Sequence, residues 1–538
     1  MFMDTVCSFD EAAALGLTKF DLGGKGFMLV EIAKMGLPVP PGFIVSTESF
    51  KKYFINGRKL TTELKEQIPT KMKGLEQKSG RNFGGIKYPL LVSVRSGAPF
   101  SMPGMMDTVL NLGINEMVVG ALVELSSNER FVYQTYSSFI RSFGKLVMKI
   151  PDEKFMDMFE NIKKTLCVKD IMESPSRFYR HVAESYKLLV EKESGKKLPE
   201  DPYEQLYQTI SAVFDSWWNP RAIAYRKMYK ISEELGTAVT VMGMVYGNYN
   251  EASLTGVVFT RNPSTGLKEL YGEYLINAQG EEIVSGSRTP KSINELKLQM
   301  PEVYEQLIKA AYKIENYFKD MQDIEFTVES NRLYILQSRT GKRTTNAAVK
   351  ILVDMVEEGL INKEEALKRI DISQVRQLFC KKVDPSFKDR PLTKGLPASP
   401  GVATGKVIFE VNDAISMKGA NIQVILVRQE TKPDDIVGVA ASEGLLTVIG
   451  GLTSHAAVVA RGLGKPCVVG CESIKINPKK SFFEVNSIKV EKDNTITIDG
   501  DTGNVYLGEV PIIEPELTTE TRKLLSFSSD SSIKRNNA

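Results

Sequence analysis

A chain of 538 residues has room for roughly three or four independently packed cores. With 42% hydrophobic and 25% charged residues it has an ordinary globular composition, and a net charge of +3 gives no global electrostatic case for nucleic acid or an anionic membrane. No apolar segment approaches the roughly 20 residues needed to span a bilayer. Residues 1–10 also lack a basic start followed by an apolar run, so a cytoplasmic protein with neither membrane nor nucleic-acid partner is expected.

In chain order, the first feature is Leu22-Gly23-Gly24-Lys25-Gly26, followed by a helical pattern over 27–35. It lacks the glycine spacing and the Ser/Thr of a P-loop, so on its own it reads as a turn; glycines that let backbone N–H groups approach a phosphate, with Lys25 as a point charge, are the alternative. A strand over 90–94 then delivers Arg95 to a loop, Ser101-Met102-Pro103-Gly104-Met105-Met106-Asp107-Thr108. On spacing alone Arg95 is equally a ligand-facing cation or a strand-end salt bridge.

From 115 to about 235 the pattern is helical, and His181 within it reads as structural. Strands separated by Gly, Asn and Pro turns occupy 238–281. Next come Asp323-Ile324-Glu325-Phe326, a Ser330-Asn331 turn, and Gln337-Ser338-Arg339. Period-two geometry puts Asp323 and Glu325 on one strand face, and Gln337 and Arg339 on one face of the next. A solvated polar face explains this; so does a phosphate site in which Glu325 and Gln337 hold Mg²⁺ and Arg339 neutralises charge.

Residues 343–380 read as helical, with Gly359 as a stop and Asn362 as a cap, and 381–395 as a Pro/Lys/Asp-rich hinge. Alternating strands and helices from 396 describe a small α/β domain, and 511–538, rich in Ser, Thr and Lys, reads as a disordered tail. Within the α/β domain, Arg428 either reaches a neighbouring site or makes a surface pair. Cys467 and Cys471 lie close together, but with no second cluster they read as thiols, and no structural metal is expected.

The chemical centre is Gly450-Gly451-Leu452-Thr453-Ser454-His455-Ala456-Ala457. An apolar strand over 445–449 breaks at two glycines, Thr453 or Ser454 caps a helix, and Gly462 reads as its C′ residue. His455 thus falls in the first turn, where free N–H groups and the helix dipole favour a neutral ring and then the phosphoryl group it accepts.

Residues 450–468 resemble the phosphohistidine motif of pyruvate, phosphate dikinases. The resemblance implies an α/β and α+β multidomain protein: an ATP-grasp nucleotide-binding domain over 1–342, a helical linker and hinge over 343–395, and a small swivelling phosphohistidine domain over 396–510. It implies Lys25 and Arg95 on the nucleotide phosphates, Gly104 in a Met/Gly-rich lid, and Glu325, Gln337 and Arg339 at the nucleotide site with Mg²⁺. Relatives carry an arginine pair where this chain has Ser137-Ser138, with Arg141 one turn on as the nearest replacement. In plant relatives the threonine matching Thr453 is a regulatory phosphorylation site; here helix capping suffices as its role.

The implied activity is phosphorylation of His455 by ATP, with inorganic phosphate as second acceptor, giving AMP and pyrophosphate. Onward transfer to pyruvate, forming phosphoenolpyruvate, is expected to need a barrel domain on a separate chain, because a barrel takes about 250 residues. Two alternatives are a phosphohistidine carrier or sensor, and a phosphoenolpyruvate-synthase-type dikinase using water, against which Ser454, commonly Cys there, weighs mildly. Related enzymes are commonly homodimers.

Overall fold

The computed structural model describes residues 6–100, 102, 108–168, 174–229, 231–285, 288–370, 382–477, 481–513 and 518–530. Contacts divide the chain into two compact units, Met1–Glu251 with Tyr334–Ser338, and Ala252–Leu333 with Arg339–Ala538. The strands from 254 onward group with the His455 region.

In the first unit an antiparallel sheet runs in the order Val6–Ser8, Gly42–Val45, Ala238–Gly243, Val92–Gly97, Thr108–Leu112. Its central strands are buried along their length, as apolar runs covered on both faces must be. Helices supply the cover. Glu129–Leu146 buries Phe131, Val132, Thr135, Tyr136, Phe139, Ile140 and Phe143, a three-and-four spacing that gives one apolar stripe, and packs on Ser176–Ser194. His181 is exposed on the latter helix.

The second unit holds two larger sheets. One runs in the order Lys291–Ser292, Tyr271–Ile276, Leu254–Phe259, Gln322–Glu329, Arg332–Thr340, its first four strands antiparallel and residues Tyr334–Ser338 of the last counted with the first unit. The other has eight strands. Its parallel centre, Val402–Ile408, Val424–Arg428, Gly444–Thr447 and Cys467–Val469, is flanked by antiparallel strands. Gly359 turns with a φ of 72°, and Asn362 caps the helix Lys363–Arg369 with a reciprocal bond to Glu365, as the sequence predicts.

Two expectations about the connecting segments change. Residues 371–380 of the segment read as helical, and residue 381 of the proposed hinge, lie outside the described residues. At the two ends of the rest, Lys382–Val383 pairs with Ile512–Ile513 and Thr393–Lys394 with Asn504 and Val505, while 384–392 form no strand or helix. The tail expected to be disordered carries the helix Thr519–Asp530. Leu524 and Phe527, one turn apart, are buried with Ile351, Leu352 and Met355 of the helix Thr345–Glu357, and that burial offsets the polar composition. Among the described residues no helix is long and apolar enough to cross a membrane, and no group of three His, Cys, Asp or Glu could hold a metal ion.

Candidate functional site

The histidine loop begins where the buried strand Gly444–Thr447 ends. Gly450 takes a φ of 126°, a conformation that side chains rarely adopt, and turns the chain toward the helix His455–Leu463. Ser454 is the N-cap, its hydroxyl accepting from Ala457 N–H at 3.5 Å. The helix runs past Gly462: the left-handed cap is Gly464, at φ 63°, while Gly462 lies inside the helix, where an added Cβ would come 3.3 Å from the Lys342 side chain.

His455 is therefore the first helical residue. Its Nε2 is buried and has no hydrogen-bond partner among the described residues. Burial pulls the ring below the ordinary histidine value of 6.5, the Asp435 carboxylate pushes it up, and the Arg339 guanidinium pulls it down, with the net shift downward. The neutral ring expected from the helix start is thus secured first by desolvation. Arg428 donates to Phe409 C=O at 2.8 Å and to Asp435 at 3.2 Å, so it makes an ion pair with the carboxylate that acts on the His455 ring.

Thr453 does not cap the helix. Its hydroxyl donates to Glu273 Oε2 at 2.9 Å, and Leu452 N–H donates to Oε1 at 3.2 Å. Burial raises the Glu273 pKa, against hydrogen bonds that lower it. On the other side of the loop, buried Arg461 donates to Leu452 C=O at 2.8 Å and to Ala398 C=O at 2.7 Å. Sequence reasoning missed Glu273 because nothing in Tyr271-Gly272-Glu273-Tyr274 announces a partner 180 residues away.

On the hairpin, an acid does meet the guanidinium, but it is Asp323: Arg339 Nε donates to its Oδ2 at 2.8 Å. Asp323 is buried and its Oδ1 lacks a partner, whereas Glu325 is half-buried and makes no hydrogen bond or ion pair among the described residues. The Asp323 charge, opposed by burial and aided by Glu325, holds Arg339 more firmly cationic than usual. His455, Arg339, Asp323 and Glu325 all belong to the second unit.

Lys25, Arg95 and Gln337 belong to the first. Gly23 adopts a φ of 68° and packs so tightly that a Cβ would fall 1.8 Å from Gly97 C=O, while Gly24 N–H donates to Ala98 C=O at 2.8 Å. The glycine turn is thereby fastened to the end of the Arg95 strand, with the Lys25 Cβ 3.6 Å from where a Gly97 Cβ would be. Arg95 donates to Leu336 C=O at 3.3 Å, beside buried Gln337. Gly104 lies outside the described residues. Arg141 does not stand free as a replacement arginine: it makes a bidentate pair with Asp152, at 2.7 and 3.0 Å.

Comparison with known proteins identifies the family. The family model "pyruvate phosphate dikinase, AMP/ATP-binding domain" matches residues 54–303 and 295–360, and "PEP-utilising enzyme, mobile domain" matches 421–503. Pyruvate, phosphate dikinase of Entamoeba histolytica is 48% identical over 519 residues, which cover 96% of this chain and 58% of that protein. That of Rhizobium meliloti is 46% identical over 94% of the chain, and the chloroplastic protein of Mesembryanthemum crystallinum 46% over 95%. The chain spans 58%, 58% and 54% of the length of these three relatives.

Proposed function

Given that this chain belongs to the pyruvate, phosphate dikinase family, we propose that it carries the nucleotide half of a dikinase reaction, with His455 as the phosphoryl acceptor. The observation that supports this most directly is the buried, unpartnered Nε2 of a ring kept neutral at a helix start. Nε2 attacks the β-phosphorus of ATP, and AMP leaves with the bridging oxygen. Inorganic phosphate then takes the γ-phosphoryl group away as pyrophosphate, and the β-phosphoryl group stays on His455. The free N–H groups and dipole of the helix start favour the anionic product.

We assign nucleotide contacts to Lys25, Arg95, Gly104, Gln337, Glu325 and Arg339. Mg²⁺ suits the oxygens of Glu325 and Gln337, since that ion takes one or two protein ligands with substrate phosphates and water; when bound it neutralises polyphosphate charge. The orphaned Asp323 Oδ1, on the same strand face as Glu325, adds a further acceptor of the kind such an ion or its water shell uses. The pyruvate half of the reaction, which forms phosphoenolpyruvate, we assign to a barrel domain outside residues 1–538.

The experiment supplies ATP labelled at the β or the γ phosphate, with magnesium and phosphate. An acid-labile β label on wild type, absent from His455→Ala, is the expected result. No adduct and no AMP would remove the proposal, and loss of the γ label from the adduct in the absence of inorganic phosphate would favour the water-using alternative.

A further inference from the structure

We propose that Glu273 is a positioning residue, the seat that captures the loop before His455 and holds the ring for phosphoryl transfer. This rests on the reading of His455 as the acceptor. The carboxylate stands on the strand Tyr271–Ile276, whose backbone is paired on both sides, Glu273 facing Val257 on one neighbour and Ser292 on the other. It is a rigid mount, only 9% exposed.

A buried carboxylate is costly unless hydrogen bonds or a cation compensate it. Glu273 makes no ion pair among the described residues, and its side-chain hydrogen bonds go to Leu452 and Thr453. Its hydrogen bonds therefore come from a single loop, the one that ends at His455, with the Arg461 guanidinium adding a weaker electrostatic contribution. An apolar residue on a covered strand would be at least as stabilising, so a charge here is better explained by what it recognises.

The loop is shaped to be recognised. A Cβ on Gly451 would fall 2.3 and 2.7 Å from the two carboxylate oxygens, so the approach needs glycine there. Thr453 spends its hydroxyl on the carboxylate while Ser454 does the capping. The contacts that give the loop its own form, from Arg461 to Leu452 and Ala398, do not involve Glu273. Seating and shaping are thus separate, which allows the seat to be removed without unfolding the loop.

The test uses the full chain with E273A, the isosteric E273Q, T453V and T453S. Amide exchange at Leu452 and Thr453 is measured alongside the single-turnover rate of His455 labelling and the KM for ATP. E273A and T453V should speed exchange at these amides at least tenfold and slow labelling tenfold or more at saturating ATP, with the KM unchanged. E273Q should fall between, and T453S, which keeps the hydroxyl, should recover most of both losses. Exchange unaltered in E273A, or a KM that rises in step with the fall in rate, would overturn the proposal. If wild type takes no label, the broader reading of His455 fails, and the exchange arm alone decides whether Glu273 holds the loop.

Discussion

Arg339 and Asp323 face each other across the two strands of one hairpin, guanidinium Nε to carboxylate Oδ2 at 2.8 Å, with the acid almost wholly buried and the arginine 29% exposed. The same guanidinium acts electrostatically on His455. Its direction is therefore set by a group that need touch no substrate.

Asp323→Asn removes the charge that orients Arg339 while keeping the shape. The lost charge-assisted bond should cost about 1–3 kcal/mol of stability. Labelling of His455 should fall by one to two orders of magnitude, by the ten-per-1.4 kcal/mol relation. Thermal melts and single-turnover labelling check the two effects separately.

The lowered pKa of His455 fixes the sign of a pH effect. Its protonated form is disfavoured in the folded protein, so the unfolded chain binds the extra proton first. This group's contribution to stability is complete above 6.5 and declines as pH falls below that value. The acid limb of His455 labelling should also lie below 6.5. Asp435→Asn deletes the one influence raising the ring's pKa, and should move that limb further toward acid in a pH–rate profile.

Gly23→Ala tests the glycine turn. Its φ of 68° and a Cβ 1.8 Å from Gly97 C=O leave the backbone no compliant neighbour to displace. A loss of more than about 1 kcal/mol is expected, the level above which incompatible Gly→Ala changes fall. The KM for ATP should rise, as measured by AMP formation, because the Lys25 turn would part from the Arg95 strand.

Phe527→Ala tests the C-terminal helix. Removing a large side chain that is 8% exposed should cost about 3 kcal/mol, near the lower bound for Phe→Ala in a core. A denaturant midpoint identical to wild type would mean that the helix does not pack.

Local signals in the sequence carried a good part of this. The strand, glycine turn and helix around His455, the Asn362 cap and the alternation of Asp323 with Glu325 are all set by neighbours within a few residues, where spacing and propensity act. What was missed depends on distant partners. Choosing between Thr453 and Ser454 as cap required knowing that Glu273 takes the Thr453 hydroxyl. Two glycines two residues apart, Gly462 and Gly464, offered the same local stop signal, and the left-handed cap falls on the second. The tail looked disordered because two apolar residues, Leu524 and Phe527, are a weak signal until the helix they dock against is known.

Arg461 carries a consequence for the chemistry. By tying two carbonyls of its own domain together, it gives the loop before His455 a shape set from within that domain, while Glu273 fixes where the shaped loop is seated. Under the proposed function, donor and recipient of the phosphoryl group meet a loop of the same shape, and what distinguishes the two encounters is the group that seats it.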